Sequence, residues 1–191
     1  MKRYERYKDS GVQWIGKIPE HWKLILNGVL FHEEIRTPNK DDQPLSLSQK
    51  DGVIPADELD KQTLKASTYN NWKKVLKDDL ILNRFKAHLG VLFSSEHEGM
   101  VSFHYGVYKM RLSLCPKYYE YLFHTEKYKY ILAASSKGMT VGLQNLSNRD
   151  FYAIKSIMPP VTEQRTIVDY LKDKTLKIDQ YVAARERERA A

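Results

Sequence analysis

The C-terminal residues 161–191 carry a regular pattern of hydrophobic and polar positions. Their apolar or small side chains recur at spacings of three and four residues. The stripe they form, called the seam below, consists of Val168, Leu171, Thr175, Ile178 and Val182. Such heptad-like spacing predicts a helix whose narrow apolar face pairs with another helix. The same spacing also fits an amphipathic helix that folds back onto its own domain.

The boundaries of this helix follow from its flanking residues. The pair Pro159-Pro160 cannot continue a helix from upstream, so it ends the preceding element. Thr162 is predicted to be the N-cap, with Glu163 in the first turn, where the helix dipole favours a negative charge. A helix from Thr162 to Arg189 would be roughly 40 Å long at ~1.5 Å per residue.

Apolar runs in the middle of the chain predict a β core. The predicted strands cover residues 44–48, 80–85, 88–93, 101–114 and 153–158. Helices are predicted over 69–76 and 117–136, residues 24–35 fit either element, and polar loops are predicted over 37–43 and 137–145.

The N-terminal residues 1–23 predict an irregular arm. Gly11 and Gly16 interrupt regular structure, while Trp14 and Trp22 offer aromatic surface that can attach the arm to a domain. Together these patterns predict an α+β protein. A globular mixed α/β domain with a β core would occupy residues 1–158, and a long helix would occupy residues 159–191.

Composition limits the compartment and the partner. No apolar run approaches the ~18 residues that cross a bilayer, and no secretory signal follows the charged N-terminus. The single Cys115 fits a reducing compartment, so a cytoplasmic location without membrane contact is expected. A formal charge of +7 and a pI near 9.3 favour an anionic partner, most simply nucleic acid.

The sequence lacks the catalytic motifs of common DNA-modifying enzymes. No acidic residue stands two positions before a lysine, and no GxGxxG, Walker A or HExxH motif is present. The only proline pair lies between Met158 and Val161, which can neither hydrogen-bond nor stack a flipped base. Glu96, His97 and Glu98 could bind a metal, although a solvated turn is the commoner role of such a cluster. No catalytic residue, metal ligand or cofactor site is therefore predicted.

Three segments resemble a known family, the specificity subunits of type I restriction-modification systems. Residues 7–24 (YKDSGVQWIGKIPEHWKL) look like its N-terminal signature, and residues 75–111 are similar to its central strands. Residues 137–179 resemble the end of a target recognition domain and the helix behind it. The proline pair, Glu163-Gln164 and the Ile-Val-x-Tyr-Leu segment are the most specific parts of the match.

The resemblance implies a non-catalytic, sequence-specific reader of double-stranded DNA. Subunits of this family hold two target recognition domains, each of which reads half of a split site. Two helices, paired as an antiparallel coiled coil, set the distance between the domains. Methyltransferase subunits dock on this frame, bring S-adenosylmethionine and methylate adenine. A restriction subunit that needs ATP and Mg²⁺ joins for translocation and cleavage.

This sequence has one such domain and one helix, where the family has two of each. The resemblance therefore implies a homodimer in which the two C-terminal helices pair antiparallel through the seam, and a palindromic split site. A fragment of a longer subunit, or half of a separately encoded pair, would also have this length.

The resemblance does not specify the residues that contact DNA, so they are predicted from residue type and position. Polar and basic side chains near strand ends and in glycine-containing loops are the candidates. They are Ser46, Ser48, Gln49, Lys50, Arg84, Lys86, Lys137, Thr140, Gln144 and Asn145.

Two other functions remain compatible with the residues. One is a stand-alone nuclease or methyltransferase whose active site has no recognisable motif. The other is an assembly protein that binds methyltransferase subunits through the helix and no longer reads DNA.

Overall fold

The computed structural model describes residues 4–59, 69, 71–140 and 143–190. The arm opens with a short antiparallel hairpin of β1 (Tyr7–Asp9) and β2 (Lys17–Pro19), where the sequence predicts irregular structure. Gly11 and Gly16 have φ of +69° and +77°, so they permit the reversal between the strands. Trp14 packs edge-on against Tyr128 at a centroid distance of 5.0 Å, as the predicted aromatic attachment requires.

The next part of the chain supplies most strands. They are β3 (Lys23–Leu26), β4 (Phe31–Glu33), β5 (Leu45–Ser48), β6 (Gly52–Pro55), β7 (Lys73–Val75), β8 (Leu80–Asn83), β9 (Leu92–Ser94), β10 (Gly99–Val101) and β11 (Tyr105–Met110), with the one-turn helix α1 (Asn27–Leu30) between β3 and β4. An antiparallel sheet in the order β4-β11-β8-β9 forms the centre. The hairpin β5–β6 and the pair β7–β10 form separate two-stranded sheets.

The described part of segment 69–76 contradicts the predicted helix there, and residue 70 lies outside the described residues. Lys73 and Val75 are buried and Lys74 between them is less so, which is the two-residue period of a strand, and β7 pairs with β10. The predicted strand over 101–114 is interrupted between β10 and β11 by a turn at residues 102–104. The predicted strand over 88–93 begins instead with a 3₁₀ turn, which ends at Gly90 with φ of +71°.

The helical prediction for 117–136 is correct in type but not in continuity. The segment forms α2 (Pro116–Phe123) and α3 (Glu126–Ser135), because Thr125 has extended backbone angles of −68° and 146°. The predicted loop over 137–145 contains β12 (Lys137–Thr140) and β13 (Leu143–Asn145), while residues 141–142 lie outside the described ranges. After the short helix α4 (Asn148–Ala153), the predicted last strand is present as β14 (Lys155–Met158).

Aromatic side chains fill the larger core, between the central sheet and α2, α3 and α4. The ring centroid of Phe31 lies 5.1 Å from that of Tyr119 and 5.8 Å from that of Phe151. All three are fully buried, and burial of each such side chain contributes roughly 1.5–3 kcal/mol. A smaller core lies beneath the β5–β6 hairpin and is built from Leu45, Val53, Val75, Ile81, Val91, Phe93, Val101 and Val107.

The pairing of β14 with β3 decides where the last helix starts. Lys155 lies opposite Leu26 and Met158 opposite Lys23, so the end of the domain returns to the N-terminal arm. The helix α5 (Val161–Ala190) begins there, one residue before the predicted start. Thr162 is therefore within the first turn rather than the N-cap, and its carbonyl accepts a hydrogen bond from Thr166 Oγ1 at 3.0 Å.

α5 belongs to the domain at its base and projects beyond it. Gln164 has no solvent exposure, and Ile167 and Val168 pack against the larger core. From residue 172 onward almost every position is exposed. α5 therefore folds back onto its own domain over its first two turns, and the rest of the helix projects as a rod. The pairing of this rod with a second copy stays a prediction. Within the described ranges, no helix is both long and apolar enough to cross a membrane.

Candidate nucleic-acid interface

A half-buried carboxylate, Glu33 at the end of β4, joins four elements of the domain. Its Oε1 accepts hydrogen bonds from Lys73 Nζ and from Arg84 Nη2, each at 2.7 Å. Its other oxygen accepts from the amide of Asn148, and the hydroxyl of Tyr152 accepts from the Glu33 backbone N–H. The segments that carry β4, β7, β8 and α4 therefore meet at one charged group.

The charge of Glu33 is stabilised by these neighbours. Burial raises the pKa of its carboxyl, but the hydrogen bonds from Lys73 and Asn148 and the charge of Arg84 outweigh burial, so the pKa lies below its ordinary value. Glu33 is consequently ionised at neutral pH and balances two cations in a poorly solvated site.

Arg84, a predicted DNA contact, is held in this network. Besides Glu33, its guanidinium donates to Asn148 Oδ1 at 2.9 Å, and its side chain is largely buried. Lys86, two residues later, is exposed. Arg84 therefore contributes to the internal contacts of the domain, and its contact with DNA stays a prediction.

The turn at residues 84–86 lies beside the hairpin of β12 and β13, which holds four more predicted contacts. The Arg84 carbonyl accepts from Leu146 N–H at 3.0 Å, directly after β13. Lys137 lies opposite Asn145 in that hairpin and donates to Asp150 Oδ1 at 3.0 Å, and Thr140 lies opposite Leu143. Gln144 is exposed.

The remaining predicted contacts lie at the β5–β6 hairpin. Ser46 is half-buried, and the Ser48 hydroxyl donates to Asp51 Oδ2 at 2.8 Å and accepts from two backbone N–H groups, so it closes the turn. Gln49 and Lys50 are exposed at the tip. The tip borders a cavity of about 260 Å³ that it shares with His97 and α2. This surface differs from the one beside Lys86.

A larger cleft of about 750 Å³ was missed by the sequence reasoning. Ile35 and Phe103, which are 76% and 54% exposed, line it together with Tyr69. Its lining includes the cationic side chains of Arg36, Lys40 and Lys73 and no carboxylate among the described residues. Ile35 and Phe103 are 68 residues apart in the sequence, so only the folded chain brings them together.

Aromatic contacts connect this cleft with the turn at residues 84–86. The Phe103 ring lies 3.9 Å from that of His104, which lies 5.4 Å from Phe85. The exposed side chains of Phe103, His104 and Lys86, with the half-buried Phe85 among them, thus follow one another from the cleft to the β12–β13 hairpin. We call this surface the candidate DNA face and define it by Ile35, Lys40, Tyr69, Phe85, Lys86, Phe103, His104, Gln144 and Asn145.

The described residues contain no group of three or more His, Cys, Asp or Glu side chains arranged to hold a metal ion. Glu96, His97 and Glu98 lie in an exposed turn, where the Ser95 hydroxyl donates to the His97 carbonyl at 2.7 Å. The aromatic, amide and basic side chains of the candidate DNA face can stack, form hydrogen bonds and attract anions, which are the means of reading nucleic acid.

The family described as the type I restriction modification DNA specificity domain matches residues 19–180 of this chain. Because that match spans most of the 191 residues, the chain belongs to this family. The resemblance found in the three sequence segments is thereby confirmed. None of the curated proteins matches the chain.

Two solved structures share the fold. One comes from a study described as the structural basis of complex assembly and conformational transition of the type I R-M system. It matches with a TM-score of 0.56 and 17% sequence identity, and the match covers 96% of this chain and 44% of the other chain. The other is the HsdS subunit from Thermoanaerobacter tengcongensis, with a TM-score of 0.52 and 16% identity, over 93% and 41%. At this identity the likeness establishes the α+β fold alone, and the chain spans less than half of either protein.

We expect Glu33→Gln to lower the free energy of unfolding at pH 7 by about 3 kcal/mol, because two poorly solvated cations lose their counter-charge. The folded-state pKa of Glu33 is lowered, so its contribution is present above the unfolded-state pKa and is lost as pH falls through the folded-state pKa. The difference between wild type and variant should thus shrink in acid, once the pH falls below the ordinary pKa of a glutamate. Urea unfolding at several pH values measures it.

The matched control is Glu96→Gln, which removes an exposed carboxylate in a turn. It should change stability by less than about 0.5 kcal/mol. A Glu33→Gln deficit that stays constant from neutral to acid pH would show that charge is not what Glu33 contributes.

Proposed function

We propose that this chain is the DNA-reading specificity component of a type I restriction-modification complex and catalyses no reaction itself. Its membership of the specificity-domain family carries the proposal. The basic composition and the aromatic and cationic side chains of the candidate DNA face supply the attraction and stacking that a DNA reader needs. One chain would read one half of a bipartite site.

The projecting part of α5 would join two such readers. Past Val168 the helix extends by about 33 Å at ~1.5 Å per residue. Ile178 and Val182 are 61% and 47% exposed there, on the same stripe that packs on the domain at the base. An exposed apolar stripe is a pairing surface, and a second copy of α5 matches it by self-complementarity.

Two-fold pairing of antiparallel helices would place the two domains at opposite ends of the coiled coil. Each domain would then contact an identical half-site, so the target would be palindromic and split by a spacer of fixed length. Methyltransferase subunits would dock on this dimer and supply S-adenosylmethionine, and a restriction subunit would supply ATP- and Mg²⁺-dependent cleavage.

Substitution within the seam tests the pairing. Ile178→Glu should convert a dimer into a monomer, because it places two carboxylates in the paired surface. Leu176→Glu is the matched control, because Leu176 is 56% exposed but lies about 160° away around the helix. Sedimentation at micromolar concentration distinguishes them. Equal oligomeric states of wild type and both variants would contradict pairing through the seam.

Substitution of Lys86 and of Arg84 distinguishes a DNA contact from a contact that supports the fold. Lys86→Ala should weaken binding to all sequences and lower the slope of log affinity against log salt by about 1, with stability unchanged. Arg84→Ala should instead lower the midpoint of urea unfolding, because Asn148 and Glu33 lose a partner. Lys8→Ala, an exposed lysine on the arm, should alter neither. A salt slope unaffected by Lys86→Ala would remove this residue from the interface.

The function itself is tested by methylation. The chain should direct adenine methylation to one split palindrome when it is combined with cognate methyltransferase subunits and S-adenosylmethionine, and sequencing of the modified bases reports the motif. The chain alone, given DNA, Mg²⁺ and S-adenosylmethionine, should leave the DNA unchanged. Modification or cleavage by the chain alone would favour the enzyme alternative, and methylation without binding of the chain to DNA would favour the assembly protein.

A further inference from the structure

The first turn of α5 is fastened to the N-terminal arm by Glu163. Its Oε2 accepts from the Tyr4 hydroxyl at 3.0 Å and from Trp22 Nε1 at 2.9 Å. Its Oε1 lies 2.6 Å from His21 Nε2. These three partners precede Glu163 by between 141 and 159 residues, so the contacts join the two ends of the domain.

Burial and bonding have opposite effects on this carboxyl. Burial raises the pKa of Glu163, but the hydrogen bonds from Trp22, His21 and Tyr4 outweigh burial and place the pKa below its ordinary value. The ring of Tyr4 also packs edge-on against that of Trp22, at a centroid distance of 5.5 Å. The donors are thus held in position by their own packing as well as by the carboxylate.

The next residue fastens the helix in a second direction. Gln164 is fully buried, accepts from the backbone N–H of Cys115 at 3.0 Å and donates to the carbonyl of Pro159 at 2.9 Å. Cys115 directly precedes α2, so this bond links the bases of two helices. Neighbouring positions point about 100° apart around a helix axis. Glu163 and Gln164 therefore attach α5 to two different parts of the domain.

Two attachments in different directions define the direction of the helix axis. A tilt of ~10° at the base moves the end of a ~33 Å rod by about 6 Å. That displacement is nearly two base-pair steps of ~3.4 Å. A small change in angle at the first turn of α5 therefore moves the far end of the helix by a distance comparable with the base-pair spacing of DNA.

We propose that Glu163 and the arm that it binds act together with the length of α5 to set the spacing between the two half-sites. This inference rests on the proposed function, in which two copies are joined through α5. Glu163 is a positioning residue: it touches no DNA, and it fixes the angle between the domain and the rod. The contacts of Tyr4, His21 and Trp22 with Glu163 are called the clasp below.

Opening the clasp should change which spacers are accepted and leave base recognition intact. A dimer that engages both half-sites at once gains about 10²–10⁴-fold in affinity, and this gain is lost where geometry prevents simultaneous contact. Wild type should therefore bind one spacer length strongly and lose about 100-fold when the spacer changes by two base pairs. With the clasp open, the peak should be lower and the loss on either side should fall to about tenfold or less.

The experiment measures binding of the full chain to duplexes with identical half-sites and a graded series of spacers. Trp22→Phe removes the indole donor and keeps an aromatic ring, and Glu163→Gln removes the charge. Glu186→Gln is the matched control, because Glu186 is an exposed carboxylate near the far end of α5. Affinity for a duplex with one half-site is recorded for every variant, and the NMR signal of the Trp22 indole N–H is recorded for wild type, Glu163→Gln and Glu186→Gln.

The expected result is a broadened spacer profile for Trp22→Phe and Glu163→Gln, a wild-type profile for Glu186→Gln, and half-site affinity within about twofold of wild type for all. A sharp profile in both variants, with a Trp22 indole signal in Glu163→Gln that shows the hydrogen bond is broken, would overturn the proposal. Equal losses at every spacer and at the half-site would also overturn it, because the clasp would then only support folding. A wild type without any spacer preference would overturn the proposed dimer and this inference together.

Discussion

The buried side chain of Gln164 is the contact on which the two-part architecture depends. It lies four residues before Val168, on the line of the seam, so one stripe of α5 runs from the domain core into the projecting rod. Its amide both donates and accepts inside the protein, and an unpaired buried amide costs about 1–3 kcal/mol. A rotation of α5 by one residue would break both bonds and bring charged positions into the core. The rotation of the exposed seam is thus fixed by packing inside the domain.

Several cations of the domain are paired with carboxylates inside it. Glu33 holds Lys73 and Arg84, and Asp79 holds Arg36 at 2.6 Å, so these cations stabilise the fold. Under the proposed function, exposed lysines such as Lys86 would supply most of the attraction to DNA on the candidate DNA face, together with exposed aromatic rings. Because these internal ion pairs stabilise the domain, residues on the candidate DNA face could be substituted without unfolding the protein.

Local patterns predicted the α+β class, the last strand and the long helix, because their signals lie within short stretches of sequence. The sequence predicts a helix over residues 69–76, but the pairing of β7 with β10 makes residues 73–75 a strand. Arg84 is predicted to contact DNA from its residue type and its position after a strand. Its burial depends on Glu33, which lies 51 residues away in the sequence. The cleft beside Phe103 was missed for the same reason, since its walls come from distant segments. Local sequence patterns therefore predict single helices and strands, but they do not predict a role that depends on contact between two distant segments.

In the proposed dimer, each domain would bind DNA through few contacts, so specificity would come from using two copies together. The gain from joining them depends on both half-sites being reached in one geometry, and a freely hinged rod would dissipate that gain over many spacers. Rigidity is therefore most effective at the base of the rod, where an angular error is multiplied by the full length of α5. Glu163 and Gln164 are placed there, in the first turn, with partners from the arm, from the residue before α2 and from the strand end at Pro159. In the proposed dimer, this arrangement would make the distance between half-sites depend on a few hydrogen bonds as well as on helix length.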